Sequence, residues 1–89
     1  MRHLNIKVSG RVQGVFFRAC TRDAAEALGV CGFVRNEPDG SVYIEAEAQG
    51  ETLEKFVQWC WLGSPGSRVT AVAVREGAVT NFHDFRVAY

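Results

Sequence analysis

Arg18 closes a short stretch, GRVQGVFFR over residues 10–18. In it Gly10 and Gly14 stand four apart, and Arg11 and Arg18 flank a run of Val15, Phe16 and Phe17. The chemistry these residue types suit is capture of a small oxyanion. A helix N-terminus leaves its first backbone N–H groups unpaired and carries roughly half a positive charge. A glycine-bearing turn in front of it lets further N–H groups face one point. An arginine adds a planar fork that matches the oxygens of a phosphoryl group. Gly10, Gly14 and Arg18 supply those parts, and at least one of the two phenylalanine rings should tuck beneath the sheet edge and hold the loop rigid. Two well-known phosphate motifs do not fit. Walker A needs a lysine after its last glycine and Gly14 has none, while Gly10-Arg11-Val12 breaks the dinucleotide pattern GxGxxG. On the residues alone, an anion cradle and an ordinary strand-to-helix turn both stay open, because glycine pairs are common in loops.

The elements around this stretch follow from periodicity. Leu4, Ile6 and Val8 alternate with His3, Asn5 and Lys7, which predicts a strand with one buried face. Residues 18–28 are alanine-rich and predict a helix, with Cys20, Ala24, Ala27 and Leu28 on one side and Arg22, Asp23 and Glu26 on the other. Gly29 is placed to end it. Residues 30–36 read as a strand, Glu37-Pro38-Asp39-Gly40 as a turn, and 41–49 as a third strand. In that strand Val42, Ile44, Ala46 and Ala48 should face inward and Tyr43, Glu45 and Glu47 outward. Leu53, Phe56, Val57 and Cys60 fall at helical spacing. Gly63-Ser64-Pro65-Gly66 stops that helix, 68–75 is a fourth strand, 76–81 a loop, and 82–89 a fifth strand.

The order β-α-β-β-α-β with one strand added predicts an α+β, ferredoxin-like sandwich. It has an antiparallel sheet, two helices on one face and an extra C-terminal strand. In that topology the first two strands run the same way. The glycine loop, Arg18 and Asn36 then meet at one rim, although Arg18 and Asn36 are 18 positions apart.

Totals narrow the partners. Eighty-nine residues suit one domain, 1–89, and ten basic against ten acidic residues give no net charge. A nucleic-acid binder would be basic, and an RNA-binding sheet would show aromatics where Glu45 and Glu47 stand. Nothing approaches the ~20 apolar residues of a membrane span, and no signal peptide is visible. Cys20, Cys31 and Cys60 are an odd number without zinc-ligand spacing. They read as reduced, mostly buried thiols, which together with the missing signal predicts a cytoplasmic protein. Arg11 reads as solvated, Arg35 as facing away from the site, and His3 and His83 as structural or solvated. Trp61 and Leu62, beyond the helix face, are expected to fold inward where the helix ends.

GRVQGVFFR, followed by GFVRNEPDGSV and later by Trp59, Gly63-Ser64-Pro65, Arg68-Val69 and Asp84-Phe85-Arg86, resembles the acylphosphatase family over nearly the whole chain. The resemblance implies hydrolysis of the carboxyl-phosphate bond of a small acyl phosphate, with no metal and no organic cofactor. It places the phosphate-binding arginine at Arg18 and the water-positioning asparagine at Asn36. The loop amides that cradle phosphate fall on Val12, Gln13, Gly14, Val15, Phe16, Phe17 and Arg18. The expected partners are then an acyl phosphate substrate and inorganic phosphate as product and inhibitor, with the chain acting as a monomer. Retention of both Arg18 and Asn36 favours an enzyme over an anion-sensing module, which would need only the cradle.

Overall fold

The computed structural model describes residues 1–89. In chain order its elements are β1 (Arg2–Arg11), α1 (Phe17–Leu28), β2 (Cys31–Asn36), β3 (Val42–Ala48), α2 (Gly50–Leu62), β4 (Arg68–Gly77) and β5 (Phe85–Val87). The strands form one sheet in the order β4-β1-β3-β2-β5. β1 pairs antiparallel with β3 and β4, and β2 antiparallel with β3. This is the ferredoxin-like frame read from the sequence. β1 and β2 run the same way and end at one rim.

Packing follows the alternation. Leu4, Ile6 and Val8 of β1 and Val42, Ile44 and Ala46 of β3 are buried in one core with Phe17 and Ala25 of α1 and Leu53, Phe56 and Cys60 of α2. Trp59 lies against Phe17 and Phe56, with ring centroids 5.5 and 6.5 Å away. Helix α1 is turned from its expected face. Phe17, Thr21 and Ala25 are buried while Ala27 is exposed. Thr21 tolerates this because its hydroxyl donates to the Phe17 carbonyl at 2.8 Å and needs no water.

Five further expectations are corrected. The fifth strand covers only Phe85–Val87 and pairs in parallel with β2, so the sheet is mixed. β4 ends opposite the start of β1, Gly77 beside His3. The chain crosses the sheet from there and can only return in the direction of β2. Residues 76 and 77 belong to β4, and the crossing segment after them covers part of the outer face. Glu47, expected in water, is 1% exposed beneath it. Trp61 and Leu62 do not fold inward; they are 52% and 77% exposed. Of the free cysteines only Cys60 is buried, Cys20 and Cys31 being half-buried. No helix is long and apolar enough to cross a membrane.

Candidate active site

The site begins with a bend in β1. Pairing with β4 shifts register at Ser9 and Gly10, a bulge that turns the strand end. Gly10 has φ 120°, and a Cβ there would collide with the Arg68 carbonyl. Only glycine lets β4 come this close. Residues 12–16 then form an open loop before α1. Gly14 has φ 74° and Phe16, at the helix N-cap, φ 58°. Gln13 before Gly14 and Val15 between the two have negative φ, and such alternation turns successive N–H groups toward one concave side. None of the backbone N–H groups of residues 12–16 meets an acceptor within the protein.

Three anchors hold the loop. Phe17 is buried, as expected for one of the two rings, while Phe16 is 84% exposed at the lip. The Gln13 side chain donates to the carbonyls of Glu37 and Ser41, each at 2.8 Å, and so ties the loop to the turn that follows Asn36. Buried Ser64 donates to the Val15 carbonyl at 3.0 Å. The turn itself is braced by Asp39, which accepts from Lys7 at 2.8 Å and from the Ser41 hydroxyl at 2.5 Å. These donors hold the Asp39 carboxyl well below the usual carboxylate range.

A hollow of about 340 Å3 opens over the loop. Val12, Gly14, Phe16, Phe17, Arg18 and Asn36 line it, so the two residues read as catalytic share one wall space. Gln13 and Val15 do not line it; the Gln13 side chain and the Val15 carbonyl serve as anchors. Arg18 is half-buried. One of its N–H groups donates to the Ala88 carbonyl at 3.1 Å, and its guanidinium lies 4.7 Å from the centre of the Tyr89 ring. No carboxylate pairs with it. Asn36 carries a buried side-chain oxygen, Oδ1, with no hydrogen-bond partner. Arg35, one residue earlier, faces away and lies over the rings of Tyr43 and Phe33. Arg11 is exposed.

Ala19, Arg22, Val87 and Tyr89 complete the wall and were not foreseen. Arg22 carried a readable signal, since it follows Arg18 by four residues and so shares its helix face. Val87 and Tyr89 reach the site only through the β2–β5 pairing, which leaves no local mark in the sequence. No group of three or more His, Cys, Asp or Glu side chains is placed to hold a metal ion.

The arrangement can hold a small oxyanion by amides and a guanidinium and present a neutral polar group beside it. Comparison with known proteins points the same way. The acylphosphatase family model matches residues 4–87. An acylphosphatase of Pelotomaculum thermopropionicum is 46% identical over 86 residues, which are 96% of this chain and 94% of that one. The crystal structure of acylphosphatase from Bacillus subtilis superposes with a TM-score of 0.97 at 39% identity, covering 100% of both chains. The structure of an acylphosphatase from Coxiella burnetii gives 0.94 at 37% identity, covering 98% of this chain and 92% of that one.

Proposed function

The chain belongs to the acylphosphatase family and hydrolyses acyl phosphates, and we propose that it does so by direct attack of one water molecule on a phosphoryl group held by Arg18 and the loop amides. The substrate's PO3 unit sits over residues 12–18, with the Arg18 fork on two of its oxygens. Amides and guanidinium meet the charge that spreads over the phosphoryl oxygens in the transition state. They do so without a metal ion. Asn36 offers an acceptor and an NH2 donor and does not titrate, so it orients the water and does not act as a base. The water oxygen bonds to phosphorus as the bond from phosphorus to the acyl oxygen breaks. Both electrons of that bond leave with the carboxylate, and the water's proton passes to a phosphate oxygen or to solvent. A carboxylate is a good leaving group, so no strong general acid is required.

The observation that carries this reading is the unpartnered Asn36 Oδ1 in the wall of a hollow floored by unpaired amides. A buried acceptor without a donor costs about 1–3 kcal/mol, a cost a purely structural asparagine would avoid. In this scheme the attacking water supplies the donor. We place the protein in the cytoplasm, as a monomer of one domain.

Phosphate release from acetyl phosphate tests the scheme. Turnover should be unchanged by EDTA, and inorganic phosphate should raise KM without lowering kcat, because it fills the same cradle. Loss of turnover on chelation, or non-competitive inhibition by phosphate, would overturn it.

A further inference from the structure

The hollow that holds Arg18 and Asn36 contains a second guanidinium, that of Arg22. Arg22 sits one turn beyond Arg18 on α1, and side chains four apart on a helix lie over one another. No Asp or Glu side chain lines the hollow. The acidic group within ion-pair reach of Arg22 is Asp23, at 3.6 Å; the Arg22 side chain is half-buried and that of Asp23 exposed. Successive helix residues do not face each other, and partly exposed pairs of this kind are weak. The Arg22 charge is therefore free to meet a ligand.

A PO3 unit has its partners already in Arg18 and the loop amides, so the second charge exceeds what the phosphoryl group needs. In-line displacement puts the departing carboxylate opposite the attacking water. With the water at Asn36, the acyl half must run along the wall that neither Asn36 nor the cradle occupies; Ala19, Arg22, Val87 and Tyr89 line the hollow there together with the exposed Phe16. We propose, on the footing of the hydrolytic reading above, that Arg22 is a specificity-determining residue. It selects acyl phosphates whose acyl half carries a second anionic group. Arg18 fixes the phosphoryl end, Arg22 attracts the far end, and the exposed Phe16 ring supplies apolar contact between them.

The test compares benzoyl phosphate with 4-carboxybenzoyl phosphate, which differ by one distal carboxylate. The ratio of their kcat/KM values cancels losses common to both substrates, and benzoyl phosphate turnover shows that each variant is folded. In Arg22→Gln the preference for the carboxylated substrate should fall about fivefold, the worth of one partly exposed charge pair. In Arg22→Glu it should fall further. Arg11→Gln, which removes an exposed charge outside the hollow, should leave the ratio as it is. Added salt should draw the wild-type ratio toward that of Arg22→Gln. An unchanged ratio in Arg22→Gln, or an equal drop in Arg11→Gln, would overturn the inference while leaving the hydrolytic reading intact. Failure of the wild type to hydrolyse either substrate would instead remove the hydrolytic reading and this inference with it.

Discussion

Arg18 works as a shape as well as a charge. Its guanidinium is steadied by the Ala88 carbonyl on one side and the Tyr89 ring on the other, which leaves the remaining N–H groups for an oxyanion. In the proposed scheme Arg18→Ala removes two charge-assisted hydrogen bonds to the phosphoryl group, each worth about 1.5–3 kcal/mol, so kcat/KM should drop roughly 10²–10⁴-fold. Arg18→Lys keeps the charge and loses the fork. It should bind inorganic phosphate better than the alanine variant yet recover little of the turnover. Steady-state kinetics with phosphate as competitive inhibitor separates the two effects, and full recovery by lysine would show that charge alone suffices. Phe16 bears a different burden at the same scale. Its left-handed backbone costs of order 1–3 kcal/mol, a cost the surrounding anchors must offset.

Those anchors belong to the elements. The cradle hangs between β1 and α1, Asn36 ends β2, and the Gln13 side chain bridges the two. Gln13→Ala should lower kcat about tenfold by loosening that spacing, since a displacement near 1 Å can cost as much as 10²-fold. The hydroxyl of Ser64 fixes the other side of the loop from the end of α2. Ser64→Ala leaves the Val15 carbonyl without its donor and should destabilise the fold by about 1–3 kcal/mol in urea titration. A loss confined to activity, with stability unchanged, would contradict that role. Gly10→Ala meets the Arg68 carbonyl at a φ that alanine resists. It should separate the end of β1 from β4 and cost both stability and phosphate affinity. These supports explain what the sequence could and could not disclose. A glycine pair, an arginine and the strand order were enough to bring residues 10–18 to Asn36. The side chains of Gln13 and Ser64 hold that arrangement through backbone carbonyls, which have no signature in the sequence.

Across the whole molecule, the outer face of the sheet carries a latch. Glu47 accepts from His3 Nδ1 at 2.6 Å and from the backbone N–H groups of Thr80, Asn81 and Phe82. Burial opposes its charge, but these donors prevail and hold its carboxyl well below the usual carboxylate range. For His3 burial likewise opposes the charge, and the bonds to Glu47 and Asn5 with the nearby Glu45 raise its affinity for a proton. The signs differ. A depressed carboxylate stabilises above its unfolded pKa, about 4.3, and that gain is lost as pH falls through the folded value. A raised histidine stabilises below its unfolded pKa, about 6.5, and that gain is lost as pH rises through the folded value. The latch should therefore contribute most between about pH 4.5 and 6.5. Urea midpoints should fall from pH 5.5 to 8.5 in the wild type and fall less in His3→Gln; equal slopes would show that the pair is not coupled to folding.

Alternation assigned Glu47 to the outer face correctly but says nothing of what lies over that face. Phe82 illustrates the same point. It continues an apparent strand in the sequence, yet in the structure it stacks on His3 and packs on Phe33 instead of pairing. The proposed hydrolysis depends on a division of labour between cradle and asparagine. Acetyl phosphate turnover and inorganic phosphate binding, measured together on Asn36→Ala, examine it most directly. The expected result is a fall in kcat of roughly 10²–10³, the range for losing one preorganised polar group, with phosphate affinity nearly intact. Equal collapse of both, or a variant that turns over like the wild type, would contradict it.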